Sequence, residues 1–208
     1  MYYKQKQVGF TLLEMIVVLG IFSIVVVVIS SILNSIFLSR KVIVAREKLQ
    51  SDSNSIIEII SRDFRTARLY YPWYSDSNPL AGELTATNPT ESLALIDQNG
   101  NMVIYRKSQN QGNCGERTPD VCLVVAVGTE SEFGLLTWTN VTPQDVNLVD
   151  VKFYLEPIRD PFDITNGIDK QPLVAIILKT EAQAGNSQNK VSGFIQTSIS
   201  SRFYQERY

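Results

Sequence analysis

Between Phe10 and Leu38 the chain reads FTLLEMIVVLGIFSIVVVVISSILNSIFL, and Glu14 carries the only charge in that run. A hydrocarbon core of about 30 Å is crossed by about 20 apolar residues in a helix rising about 1.5 Å each, so this stretch is long enough to span a bilayer. No polar stripe recurs between Met15 and Ile29, which separates it from an amphipathic surface helix. The β-branched run Val25 to Val28 is poor helix chemistry in water. In lipid the backbone has no partners but its own, and a helix is enforced.

An ordinary secretory signal is the first alternative, because Lys4 and Lys6 give a basic start ahead of the apolar run. It fits badly. The run is longer than a typical signal core, no A-x-A-like site follows, and a carboxylate sits near its beginning. Holding a charge in hydrocarbon costs roughly 2.5 to 3.5 kcal/mol on insertion scales, so such residues persist where a partner waits. Glu14 therefore needs a neutralising group.

The rest of the chain is bounded by its composition. Of 208 residues 44% are hydrophobic, and once the apolar segment is set aside one modest globular domain remains. The net charge of -2 is scattered over both signs, so no nucleic-acid partner is expected. The absence of histidine removes the commonest general base and transition-metal ligand, and two cysteines cannot make a four-cysteine zinc site. Ser108 beside Lys107 has no supporting motif, and no glycine-rich phosphate loop occurs. No enzymatic activity, metal or cofactor is expected. The acidic segment Arg159 to Asp169 offers hard oxygen ligands, but its spacing departs from the EF-hand pattern and an acidic turn explains it better.

After the apolar run, Val42, Ala45, Leu49, Ile56, Ile60, Phe64 and Ala67 recur at helical steps, which predicts an amphipathic helix ending near Tyr71, ahead of Pro72. The period then becomes two. Strands are expected at Leu93–Asp97 and Met102–Lys107 around the hairpin signal Asn99-Gly100, and at 121–127, 134–139, 146–156, 173–180 and 191–198. In the 146–156 strand, Val149, Val151, Phe153 and Leu155 are expected on the packed face, with Asp150, Lys152 and Tyr154 facing water. The predicted class is α+β, a long N-terminal helix packed on an antiparallel sheet. Tyr70, Tyr71, Trp73 and Tyr74 are expected to cover the helix end and close the core, with a contact surface as the alternative.

Lys6-Gln7-Val8-Gly9-Phe10-Thr11-Leu12-Leu13-Glu14, running directly into the apolar segment, resembles the cleavage and methylation signal of type IV prepilins and type II secretion pseudopilins. The resemblance implies that a prepilin peptidase cuts between Gly9 and Phe10 and N-methylates the new Phe10 amine. It implies that Glu14 acts in subunit assembly, pairing with the amine of a neighbouring subunit. The division that follows is a leader at 1–9, a transmembrane and filament-core helix at 10–38, and a globular pilin domain at 39–208. The implied partners are the peptidase, other pilins or pseudopilins, an inner-membrane assembly platform with its ATPase, and membrane lipid. The implied place is the inner membrane, single-pass, with the C-terminal domain outside the cytoplasm, and afterwards the filament. Against that orientation, Arg40, Lys41, Arg46 and Lys48 after the span outnumber Lys4 and Lys6 before it.

Within the family, the segment from Ile59 to Arg68, the chain size and the closing Ile199-Ser200-Ser201-Arg202-Phe203 resemble J-type minor pseudopilins and W-type minor pilins. Glu14 argues against the K-type tip pseudopilin, which lacks that glutamate. The expected function is thus a minor filament subunit; the alternative is an adhesin-like, membrane-anchored binding module at a filament tip. In an exported domain Cys114 and Cys122 are expected to form a disulfide, with free buried thiols as the alternative.

Overall fold

The computed structural model describes residues 9, 11–74, 89–108, 114, 121–129, 136–163, 170–184 and 189–202. The chain divides into two compact units, residues 1–43 and 44–208. One helix, α1 (Leu12–Thr66), contributes to both. In the 44–208 unit it lays Leu49, Ser53, Ile56, Ile60 and Phe64 into the interior, the stripe that the three- and four-residue spacing requires. Ile56, Ile60 and Phe64 are completely covered, each such burial being worth about 1.5 to 3 kcal/mol. Val42 and Ala45, at the head of the expected stripe, are half-buried.

α1 stops at Thr66 rather than near Tyr71. The amide of Ala67 still bonds to Asp63 O at 2.9 Å, but Arg68 and Leu69 then pair with Ile96 and Leu95 as strand β1 (Arg68–Leu69). A 3-10 turn over Tyr71–Tyr74 follows. Two carbonyls left over at the helix end find partners near the far end of the chain: Arg202 N–H donates to Arg65 O at 3.3 Å, and Ser201 Oγ to Ala67 O at 3.4 Å. Strand pairing won over continued helix because Leu69 becomes buried in the core by it.

Antiparallel strands form two sheets. The first has the order β1, β2 (Ser92–Ile96), β3 (Met102–Lys107), β4 (Leu123–Gly128), β5 (Trp138–Asn140). The second is β6 (Val146–Glu156), β7 (Leu173–Gln183), β8 (Lys190–Ser200). They are tied by the Thr90–Phe153 bridge, with bonds of 2.8 and 2.9 Å, and by Leu148 N–H to Val121 O at 3.1 Å. Side chains from both sheets and α1 share one core, among them Phe64, Leu93, Ile104, Phe153 and Ile176. The β2–β3 hairpin turns at Asn99-Gly100, where Gly100 has φ of 84°, a left-handed value that favours glycine. Asp97 Oδ1 accepts the amides of Asn99 and Asn101 at 2.8 Å each, and the Asn101 bond leads in holding the Asp97 carboxyl below its ordinary range.

One face assignment is corrected. Val151, Phe153 and Leu155 are buried, but Val149 is 44% exposed. Leu148 faces Thr180 and Asp150 faces Lys179, so Val149 is the extra residue of a β-bulge and the alternation slips there. The aromatic cluster closes the core: Trp73 and Tyr74 are buried, Trp73 Nε1 donates to Ser92 Oγ at 2.9 Å, and Ala94 N–H donates to Tyr74 Oη at 2.8 Å.

Candidate functional site

The start of α1 is set by Thr11. Its side-chain oxygen accepts the Glu14 amide at 3.3 Å and its carbonyl accepts the Met15 amide at 3.3 Å. Thr11 is therefore the N-cap and Glu14 the third helical residue, the positions of a capping box. The role of Thr11 was not expected from the sequence, where the signal for it is the pattern Thr-x-x-Glu ahead of an apolar run. Gly9 lies ahead of the cap, outside the helix and exposed, with nothing within 4 Å of where a Cβ would stand. Phe10 falls outside the described residues. Glu14 stands in the first turn, where the positive end of the helix dipole favours a carboxylate.

From Leu12 onward the helix shows apolar side chains on every side. Leu12, Leu13, Ile16 and Phe22 are all at least 60% exposed, with values of 78, 73, 61 and 63%. The most apolar 18-residue window has a mean hydropathy of 3.1 with no residue buried, so the helix is long and apolar enough to cross a membrane. Three hydroxyls within this stretch are satisfied by the helix's own backbone. Ser23, Ser30 and Ser31 donate to the carbonyls of Leu19, Val26 and Val28, each at 2.8 Å. That removes the cost of three unpaired donors in hydrocarbon.

In the other unit, Cys114 and Cys122 are joined by a disulfide with Cα atoms 5.7 Å apart. Both cysteines are buried with Val124 against Trp138. The Ser108 hydroxyl accepts the Cys122 amide at 3.1 Å and lies 3.2 Å from Cys114 Sγ, which as a disulfide sulfur has no proton to give. Arg106 on β3 stacks over the Trp138 ring at 3.8 Å to its centroid and is only 8% exposed. Its Nε and Nη1 have no hydrogen-bond partner among the described residues, and burial pushes its pKa down. Ser108, Arg106 and Trp138 were not singled out from sequence as a group, because Trp138 reaches the other two only through the pairing of β3 with β4 and of β4 with β5. Gly9 and Glu14 belong to the 1–43 unit and the two cysteines to the 44–208 unit. The acidic segment ends in part outside the described residues; within it, Phe162 N–H donates to Asp160 Oδ1 at 2.9 Å, as in an ordinary acidic turn.

Residues 4–30 match the family model for the prokaryotic N-terminal methylation motif. The matched stretch contains Gly9, Phe10, Thr11 and Glu14 and the first turns of the apolar helix. No curated protein and no solved structure matches the chain.

Proposed function

We propose that this chain, whose residues 4–30 carry a type IV prepilin-like methylation signal, is a structural subunit of a type IV pilus or type II secretion pseudopilus. A prepilin peptidase cuts it between Gly9 and Phe10. The observation that carries the reading is the methylation motif falling on a segment where Gly9 is exposed and precedes the helix cap. A peptidase needs an extended, reachable peptide, and a glycine at the cut leaves room for close approach.

Hydrolysis of the Gly9–Phe10 amide consumes one water and leaves a carboxylate on Gly9 and an ammonium on Phe10; N-methylation keeps that positive charge. The helix dipole offsets about 0.3 to 1 kcal/mol of the Glu14 charge, against a cost in hydrocarbon of roughly 2.5 to 3.5 kcal/mol. The shortfall is met by an ammonium. Supplied by a neighbouring subunit's Phe10, it couples assembly to the relief of a buried charge.

The 44–208 unit lies outside the cytoplasm in this reading, and two features support it. A Cys114–Cys122 disulfide suits an oxidising compartment. Lys48, one of the cations counted against the orientation, is bound to Asp145 of the same unit. The subunit is a minor one of the J or W type, as the segment from Ile59 to Arg68, the chain size and the closing Ile199-Ser200-Ser201-Arg202-Phe203 suggest by resemblance. It performs no catalysis; the methylation-motif family is structural, and a chain with no histidine has little to build an active site from.

Co-expression with a prepilin peptidase tests the processing step. Wild-type chain should shift to a shorter form, and Gly9→Leu should remain at full length. Equal processing of both would remove Gly9 from the site.

A further inference from the structure

We propose that a groove at the C-terminal end of α1 is a docking site for carboxylate side chains presented by another protein. The groove, about 680 Å³, is lined by Ile57, Glu58, Arg62 and Arg65 of α1, by Gln98 in the β2–β3 turn and by Arg202 just after β8. Three guanidinium groups and one carboxylate thus share one concavity. Arg62 and Arg65 stand three residues apart on one helix face. Arg202 is fastened beside them by its own backbone, which donates to Arg65 O at 3.3 Å.

Cations in the last turn of a helix favour its dipole, which explains one of the three. It does not explain a third brought in from the far end of the chain to face two like charges. Among the described residues the side chains of Arg65 and Arg202 have no hydrogen bond or ion pair. Arg62 reaches, among the described residues, only its neighbour Asp63, at 3.5 Å, with its side chain 74% exposed. Three like charges kept in place by the backbone, with the forked donors of Arg65 and Arg202 unspent among the described residues, fit an incoming set of carboxylates, which guanidinium groups take two bonds at a time.

The anion is protein-borne rather than a continuous polyanion. Glu58 stands inside the groove and would oppose a chain of phosphates, and a net charge of -2 provides no long-range pull on one. Discrete acidic side chains can bypass Glu58, laying their methylenes on Ile57 and an oxygen on the Gln98 amide. This inference does not depend on the filament reading, since any acidic protein neighbour satisfies it.

The test uses the full chain in detergent micelles and a fluorescent peptide of glutamates spaced by glycine, followed by polarisation at low ionic strength. Arg65→Gln with Arg202→Gln should weaken binding about tenfold or more, Glu58→Gln should tighten it, and Lys152→Gln, away from the groove, should leave it unchanged. Thermal melts of the same variants should match wild type, because all the substituted side chains are exposed or partly so. Absence of binding by wild type, equal binding by the double variant, or tighter groove-dependent binding of an oligothymidylate or of vesicles rich in anionic phospholipid would each overturn the proposal.

Discussion

The hydroxyls of Ser53 on α1 and Thr180 on β7 meet at 2.8 Å inside the 44–208 unit, both almost wholly shielded from water. Each is the other's partner in a place where an unpaired hydroxyl is costly. Ser53→Ala should therefore lower stability by about 1 to 3 kcal/mol, the cost of leaving a buried polar group unsatisfied. Urea denaturation of the solubilised chain checks this, and a double variant with Thr180→Val should recover part of the loss.

Gly193 on β8 is pressed into the same spot. A Cβ there would stand 3.0 Å from Thr180 Oγ1 and 3.2 Å from Leu49 Cδ2. Both neighbours are held, Thr180 by Ser53 and Leu49 by burial at 2% exposure, so neither yields freely. Gly193→Ala should cost about 1 to 3 kcal/mol as overpacking, read as a lower urea midpoint.

These contacts mark where sequence was a good guide and where it was not. The apolar run, its lone glutamate and the hairpin at Asn99-Gly100 are local signals, and the helix and the turn appear where they were expected. The stripe on α1 was legible at Leu49, Ile56, Ile60 and Phe64, but Ser53 fills the step between them. Its polarity hid it, because its partner is 127 residues away. The helix end was misplaced for a similar reason: Leu69 leaves the helix to pair with Leu95, a choice that local propensity cannot register. The bulge at Val149 and the split into two sheets also come from pairing between distant strands.

Arg106 should be dispensable for folding. A buried guanidinium with two nitrogens unpaired among the described residues gains a stacking contact with Trp138 but loses its hydration. Arg106→Met, which keeps the length and drops the charge, should leave stability unchanged or raise it by about 1 kcal/mol or more. Trp138→Ala should lower it. Thermal denaturation of the two variants distinguishes the contributions, and a large loss for Arg106→Met would show that the charge has a compensating partner.

Stability should also fall on the alkaline side. Burial raises the phenol pKa of Tyr71, Tyr74 and Tyr105 above the ordinary value near 10, with Asp160 adding to it at Tyr71 and the Asp63 hydrogen bond at Tyr105. The folded form then holds its phenolic protons more tightly than the unfolded form. Their stabilisation is complete below a pH of about 10 and is lost as pH rises beyond it. Equilibrium unfolding followed from neutral pH upward should show that decline, and Tyr105→Phe should make it shallower.

Glu14 should matter to assembly and not to folding of the 44–208 unit, since it belongs to the other unit. Glu14→Ala should reduce recovery in sheared filaments about tenfold, the equivalent of losing roughly 1.4 kcal/mol per subunit, with the urea midpoint unchanged. Thr11→Ala, which removes the cap acceptor for the Glu14 amide, should have a smaller effect of the same sign, about 1 kcal/mol or less on helix stability.

The most direct measurement is the intact mass and N-terminal sequence of the protein recovered from cells that contain a prepilin peptidase. A chain beginning at an N-methylated Phe10, lacking residues 1–9, is the expected result. A chain that retains Met1 through Gly9 would contradict the account at its root, because no ammonium would then exist at Phe10 to meet Glu14.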